Sequence, residues 1–164
     1  MSLSTNLLDA LSPKNRIFVA FSGGLDSTAL LFLCNKVLKQ KKIRNLKAIH
    51  INHNLSKNSD NWQRHCEIFC RSNNIEFESF TVEVLKNRSS IESQARQARY
   101  KIFESLLDEN DQILLAHHRD DVFETTLLRL FRGTGVDGLG GLDEKRSLGK
   151  GEIIRPFLNL SKSD

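Results

Sequence analysis

One glycine turn constrains this chain more than any other stretch. Residues 21–28 read Phe-Ser-Gly-Gly-Leu-Asp-Ser-Thr, and they join an apolar run at 17–21 to a segment whose apolar residues recur at helical spacing. Two adjacent glycines let the backbone turn sharply and leave its N–H groups open to approach, because no Cβ covers them. A strand, a glycine turn and a helix N-terminus in succession predict an anion site that suits phosphate.

The side chains of this turn narrow the prediction. The hydroxyls of Ser22, Ser27 and Thr28 add donors, whereas the Asp26 carboxylate fits only if a metal ion or an ammonium group lies nearby. The spacing matches neither a Walker A loop nor Gly-x-Gly-x-x-Gly. It resembles the Ser-Gly-Gly-x-Asp-Ser signature of the PP-loop ATP pyrophosphatases, which cleave ATP to AMP and pyrophosphate. A plain glycine turn with a capped helix is the structural alternative.

Strand-like and helix-like patterns alternate along the chain. Apolar or alternating runs predict five strands, at 17–21, 46–51, 76–82, 113–116 and 153–154. Helical patterns between them predict an α/β fold, a parallel five-stranded sheet flanked by helices on both faces. Right-handed crossovers bring all strand C-terminal ends to one edge, where ligands bind.

Two helix starts are predicted in more detail. Asp60 with Gln63 three residues later is typical of a capping box. The segment from His117 to Arg132 predicts a helix that turns Phe123 and Phe131 inward.

A second group of ionisable residues follows the fourth predicted strand. On a helix, His117, Asp121 and Glu124 would share one face, because they are four and three residues apart. Carboxylates beside a phosphate site call for cations, either Mg²⁺ carried by a nucleotide or the ammonium groups of an amine substrate. The alternatives are a zinc or iron site that adds His118 and a polar helix start stabilised by the helix dipole.

Three blocks together resemble the tRNA(Ile)-lysidine synthase family. They are residues 22–27, the Gln-Ala-Arg-Gln-Ala-Arg-Tyr run at 94–100, and residues 116–125 followed by Arg-Gly-Thr-Gly at 132–135. The first block is shared by all PP-loop enzymes, and the last is far more specific to this family. The family fold is the Rossmann-like adenine nucleotide α-hydrolase, or PP-loop, fold.

The resemblance implies an ATP-dependent carbon–nitrogen ligase. ATP would adenylate the C2 oxygen of the wobble cytidine in an isoleucine tRNA with a CAU anticodon and release pyrophosphate. The lysine ε-amine would then attack C2 and expel AMP, which leaves lysidine.

The resemblance also implies roles for single residues. ATP would be bound by Ser22, Gly23, Gly24, Leu25, Asp26 and Ser27. The catalytic residues would be Asp26, Asp121, His117 and Arg99, where His117 and Asp121 are the candidates for taking the amine proton. Lysine would be bound by Asp121, Glu124 and Arg99, and Mg²⁺ by Asp26 and Asp120.

Domain organisation, partners and location follow from the same resemblance. Residues 1–164 are expected to form one PP-loop catalytic domain that stops before C-terminal tRNA-binding domains. Its partners would be ATP with Mg²⁺, L-lysine and the tRNA, and a homodimer stays open. A net charge of +4 permits an RNA partner without requiring one. No membrane contact is expected, because no apolar run reaches membrane-spanning length.

Two alternative functions remain. One is another PP-loop enzyme such as a tRNA thiolase, which needs a reactive cysteine. Cys34, Cys66 and Cys70 fall inside helical patterns, away from the predicted sheet edge, and favour reduced core thiols in a cytoplasmic protein. The other is a non-catalytic ATP-binding module, which would need the glycine turn but not the acidic pair.

Overall fold

The computed structural model describes residues 7, 10–12, 15–56, 58–83, 91–131 and 142–161. The glycine-rich stretch at 132–141, which holds the Arg-Gly-Thr-Gly run, lies outside these residues. Leu7 and Ala10 are helical, and Leu7 is buried.

The described elements alternate as the sequence predicts. The strands are β1 (Ile17–Ala20), β2 (Leu46–Asn52), β3 (Glu76–Thr81), β4 (Gln112–Leu114), β5 (Lys145–Leu148) and β6 (Gly151–Ile154). The helices are α1 (Leu25–Gln40), α2 (Ser59–Ser72), α3 (Ile91–Leu106) and α4 (Arg119–Phe131).

All six described strands form one sheet in the order β3-β2-β1-β4-β6-β5. The first five in that order are parallel, which confirms the predicted parallel α/β sheet. β5 adds a sixth strand, antiparallel to β6, at the sheet edge. Its sequence, Lys-Arg-Ser-Leu, has no apolar run because an exposed edge strand needs none.

Both faces of the sheet are covered, and β1 shows how. Val19 packs with Leu30 of α1 and Cys66 of α2 on one face. Phe18 packs with Phe103 of α3 on the other face. Alternate residues of a strand point to opposite faces, so a continuous apolar run is what a strand buried on both sides requires.

The strand order reverses beside β1. The chain leaves β1 toward β2 on one side, and β4 later pairs with the other side of β1. The two connections therefore diverge at the carboxyl ends of β1 and β4 and leave a crevice there, which is where open α/β sheets bind ligands.

The predicted capping box at Asp60 is wrong. α2 begins one residue earlier, at Ser59. The Asp60 and Gln63 side chains instead accept hydrogen bonds of 3.3 and 3.0 Å from the Asn52 side-chain amide. They fix the end of β2 against α2, which holds the following residue, His53, beside the crevice.

The predicted start and packing of the last helix also need correction. α4 begins at Arg119, so His117 precedes it. The Asp121 carboxylate accepts a hydrogen bond of 2.8 Å from the His118 backbone N–H, and this cap sets the helix start. Phe123 and Phe131 are 66% and 84% exposed rather than inward.

All three cysteines are buried free thiols. Burial raises the pKa of Cys66 to about 11 and the pKa of Cys34 and Cys70 to about 12. The thiols are therefore protonated at neutral pH, as the prediction of core cysteines requires. Across the described ranges, no helix combines the length and apolar character needed to cross a membrane.

An ion pair between a half-exposed arginine and a buried aspartate closes the opposite end of the sheet. Asp111 precedes β4 and is bonded by Arg16, whose Nε and Nη2 lie 2.9 and 2.5 Å from Oδ2. Burial alone would raise the pKa of Asp111, but hydrogen bonds from Arg16 and from the backbone of Asp108 and Arg16 lower it. The pair ties the start of β1 to the start of β4.

We expect Asp111→Ala to lower the free energy of unfolding by about 2–4 kcal/mol, because Arg16 loses a buried partner and two backbone donors lose their acceptor. Asp108→Ala is the matched control, since it contacts the same guanidinium from a side chain that is 74% exposed. It should cost less than about 1 kcal/mol. Urea unfolding of both variants measures the difference, and equal losses would contradict the assignment.

Candidate active site

A cleft of about 360 Å³ opens at the carboxyl ends of the central strands. Polar residues reach it from β2, from the loops after β1, β2 and β4, from the first turns of α1 and α4, and from α3. They are Ser22, Asp26, Ser27, His50, His53, Arg99, His117 and Asp121. Its apolar walls come from strand residues and from Phe103. The crevice inferred from the strand order is thus the cleft that the side chains form.

The glycine turn forms one end of the cleft and is shaped by serine hydroxyls. Gly23 has a positive φ of +83°, and Gly24 is extended and caps α1. The Ser27 hydroxyl donates to the Gly24 carbonyl at 3.0 Å and lies 3.0 Å from the Ser22 hydroxyl. These bonds hold the turn open, with the N-terminus of α1 behind it, as an anion site requires.

Cys66 of α2 packs directly beneath the turn. A Cβ added to Gly23 would stand 2.9 Å from the Cys66 sulfur, so no side chain fits there. The cysteine is therefore closer to the sheet edge than predicted, although it is 0% exposed. Gly23 is required both for its backbone conformation and for this close approach.

His118 lies among the carboxylates on the acidic side of the cleft, and its Nδ1 makes no hydrogen bond with the described residues. Its Nε2 lies 3.6 Å from Asp26, and its Nδ1 lies 3.4 Å from Asp121 and 3.7 Å from Asp120. The imidazole is buried, whereas the three carboxylates are partly exposed. One ring therefore lies between the glycine turn and the start of α4.

Two imidazoles line the cleft beside these carboxylates. Burial and the nearby Arg155 lower the pKa of His117 to about 4, although Asp121 acts in the opposite direction. Burial and the charge of Arg99 lower the pKa of His53. Both imidazoles are consequently neutral at pH 7, and a neutral imidazole can accept a proton.

Arg99 is partly buried in the cleft wall. Burial and the neighbouring Arg96 lower its pKa, although Tyr100 acts in the opposite direction, and its Nε has no hydrogen-bond partner among the described residues. Arg155 is 2% exposed, and its Nη1 donates to the Asp143 carbonyl. Arg99 makes this part of the cleft attractive to an anionic group, and the charge of Arg155, which does not line the cleft, adds to that attraction.

The structure gathers most of the predicted site residues. Asp26, Arg99, His117 and Asp121 all line one cleft, as do Ser22 and Ser27. Leu25 is 80% exposed and can offer only its backbone. Glu124 is exposed and is not among the residues that line the cleft, because α4 starts after His117 and the three residues do not share its face.

The cleft carboxylates bear on the predicted metal sites. Within the described ranges, no group of three or more His, Cys, Asp or Glu side chains could hold a metal ion, so the zinc or iron alternative gains no support. Asp26 and Asp120 offer partly exposed oxygens, which fit Mg²⁺ when nucleotide phosphates and water supply its other ligands.

Sequence reasoning assigned His118 only to the zinc alternative and gave Arg155 no role. Each follows a buried strand: His118 comes four residues after β4, and Arg155 comes directly after β6. Their place at strand ends was the available signal.

Comparison with known proteins finds a PP-loop domain and similar tRNA(Ile)-lysidine synthases. The PP-loop domain model matches residues 2–164. The chain is 46% identical over 160 residues to a tRNA(Ile)-lysidine synthase of Legionella pneumophila (strain Lens), with 98% of this chain and 36% of the relative covered. It is 44% identical to that of Pseudomonas syringae pv. tomato, with the same shares covered. The chain thus spans about 36% of the length of these relatives.

A solved structure shows the same fold. The U34-tRNA thiolase NcsA from Methanococcus maripaludis superposes with a TM-score of 0.72 at 20% identity, over 98% of this chain and 59% of the other.

We expect Gly23→Ala to destabilise the turn by at least about 1–2 kcal/mol, from the positive φ alone. The clash with Cys66 adds to this. Gly24→Ala is the matched control, because its φ is −74° and its added Cβ would meet only the Ser22 hydroxyl at 3.4 Å. Thermal unfolding and ATP binding of both variants are the measurements. A harmless Gly23→Ala would contradict the close packing described here.

His117 should make stability depend on pH. Its folded-state pKa lies below the unfolded value of 6.5, so the unfolded chain binds the proton first and stability falls as the pH drops from about 6.5 toward 4. In the His117→Gln variant, the decrease in the free energy of unfolding over this pH range should be smaller by roughly 1–3 kcal/mol. Unfolding measured at several pH values in both proteins detects it. An unchanged slope in the variant would show that His117 is not held neutral.

Proposed function

The chain belongs to the PP-loop domain family, and on that premise we propose that it is the catalytic part of a tRNA(Ile)-lysidine synthase. One observation carries the proposal: a single cleft combines the glycine-turn phosphate site with a carboxylate pair, a neutral imidazole and a partly buried arginine. Identities of 41–46% with curated lysidine synthases support the same reaction.

ATP binds with its phosphates on the glycine turn. The backbone N–H groups of Gly23, Gly24 and Leu25 surround the leaving pyrophosphate, and the N-terminus of α1 favours its charge. Ser22 and Ser27 keep the turn in shape. Mg²⁺, when bound with the nucleotide near Asp26 and Asp120, neutralises phosphate charge.

Lysine binds on the acidic side of the same cleft. The Asp121 carboxylate attracts an ammonium group, and Arg99 attracts the lysine carboxylate or a phosphate. Glu124 lies one helical turn beyond Asp121 and is exposed, so it binds the second ammonium group only if lysine extends out of the cleft.

The attacking amine must lose a proton. His117 is neutral at pH 7 and faces the cleft with Asp121, so either residue can accept that proton. We infer that His118, which lies 3.6 Å from Asp26 and 3.4 Å from Asp121, helps to keep the adenylation and attack sites together. The C2–N bond then forms as the bond from C2 to the AMP oxygen breaks.

The partners follow from this reaction. They are L-lysine and an isoleucine tRNA with a CAU anticodon. Further domains beyond this PP-loop domain would also bind the tRNA. We propose a cytoplasmic location. A monomer and a homodimer are both compatible with this proposal. Sulfur transfer of the thiolase kind is disfavoured, because all three cysteines are buried with raised pKa values.

Lysine incorporation is the direct measurement. The chain is assayed alone and as a chimera that replaces the matching segment of the Legionella pneumophila relative, with ATP, radiolabelled lysine and a CAU-anticodon tRNA transcript. We expect incorporation by the chimera and pyrophosphate release that depends on both lysine and tRNA. ATP binding without either signal would indicate a non-catalytic module.

In the chimera, Asp26→Ala and Asp121→Ala should each lower lysine incorporation by at least about a hundredfold, because each removes a charge from the reacting centre. Glu67→Ala is the control, since this exposed carboxylate on α2 pairs only with Arg71 among the described residues. Circular dichroism checks that the variants fold. Near-normal incorporation by either aspartate variant would contradict the site.

A further inference from the structure

Three arginines converge on one aromatic ring beside the cleft. The guanidinium carbons of Arg96, Arg99 and Arg146 lie 5.2, 5.9 and 5.5 Å from the centroid of the Tyr100 ring. Two of them come from α3 and one from the edge strand β5, so the fold brings together residues that are far apart in sequence. We call Arg96, Arg99, Arg146 and Tyr100 the arginine cluster.

The arginine cluster lacks a counter-charge within the part of the chain that the structure describes. Among the described residues, no carboxylate pairs with any of the three guanidinium groups. Three positive charges around one ring repel each other, and the ring offsets only part of that repulsion. Such an arrangement is stabilised when an anion joins it.

Two polar atoms in the arginine cluster are buried without partners. The Nε of Arg99 and the hydroxyl of Tyr100 are shielded from water and make no hydrogen bond with the described residues. Buried polar atoms are normally satisfied, and those that are not call for a ligand or an ordered water. Both can donate to the oxygens of an anion.

The cluster lies at the same edge of the sheet as the cleft. Arg146 is opposite Ile153 in the β5–β6 pair, next to the carboxyl end of β6. Arg96 and Arg99 lie one turn apart near the middle of α3, which runs back toward β4. Arg99 lines the cleft, whereas Arg96 and Arg146 are exposed and do not. The positive charge therefore extends from the surface into the cleft.

We propose that the arginine cluster binds the phosphodiester backbone of an RNA strand and guides one nucleotide into the cleft. This rests on the proposed function and specifies where its RNA substrate would enter. A small phosphate would use the glycine turn and need no exposed arginines outside the cleft. An extended polyanion uses both, because consecutive phosphates can bind Arg146, Arg96 and Arg99 in turn. Guanidinium groups bind phosphate through two parallel hydrogen bonds, which suits this role.

RNA affinity is measured by fluorescence anisotropy with a labelled anticodon stem-loop that carries a CAU loop, over a series of salt concentrations. The protein is the full chain without ATP or lysine. Arg96→Ala and Arg146→Ala should each weaken binding about fivefold, because each removes one charge-assisted contact to an exposed phosphate. Each should also reduce the slope of log affinity against log salt by about 0.7, the value for one single-strand phosphate.

Arg44→Ala is the matched control. It removes the same charge from an exposed arginine just before β2, at the opposite edge of the sheet. It should change affinity and slope far less than either cluster variant. Equal effects from all three substitutions would show that only net charge matters and would overturn the proposal. Thermal unfolding confirms that the exposed-site variants fold.

A second arm separates RNA from free phosphate. Calorimetric titration with inorganic pyrophosphate should give the same affinity for Arg96→Ala, Arg146→Ala and the unsubstituted chain. Loss of pyrophosphate affinity with RNA affinity intact would overturn the proposal in favour of a nucleotide-phosphate site. Since neither arm requires catalysis, a failure of lysine incorporation and a failure of the arginine cluster are observed separately.

Discussion

The site depends on the parallel pairing of one strand with two neighbours. β1 hydrogen-bonds to β2 on one side and to β4 on the other. The connections that follow β1 and β4 run in different directions. The carboxyl ends of these three strands therefore lie together while their helices separate. The glycine turn, His50 with His53, and His117 with Asp121 reach one cleft for this reason alone. The Arg16–Asp111 pair holds the same strands at their other end.

Close packing shapes the cleft as strongly as hydrogen bonding does. Gly23 approaches the Cys66 sulfur so closely that a methyl group would not fit, and the serine hydroxyls then complete the turn. This explains how a buried, unreactive thiol can lie beside a phosphate site. In a sulfur-transfer enzyme, a cysteine near the nucleotide would need exposure and a low pKa, and Cys66 has neither.

The cleft holds groups of both charges. Carboxylates lie around His118 near the glycine turn, and Arg99 lines the same cleft with the neutral His117. An amine finds an opposite charge at the carboxylates and a phosphodiester finds one at the arginine, whereas a polyphosphate meets the backbone N–H groups of the turn. The exposed arginines beside Tyr100 extend the positive charge of Arg99 outward, toward the surface where a large substrate would approach.

The chain's patterns alone determined the α/β class, the five parallel strands and most of the site. Buried parallel strands are continuous apolar runs, and the glycine turn has a recognisable spacing, so Asp26, His117 and Asp121 could be assigned to one edge. Pairings between distant residues were decided only by the tertiary structure. β5 has no apolar run that would predict a strand. The hydrogen bond from the His118 N–H to Asp121 starts α4 after His117, and Glu124 does not line the cleft. The contact of Cys66 with Gly23 and the gathering of three arginines on Tyr100 likewise depend on packing between elements, which no local pattern records.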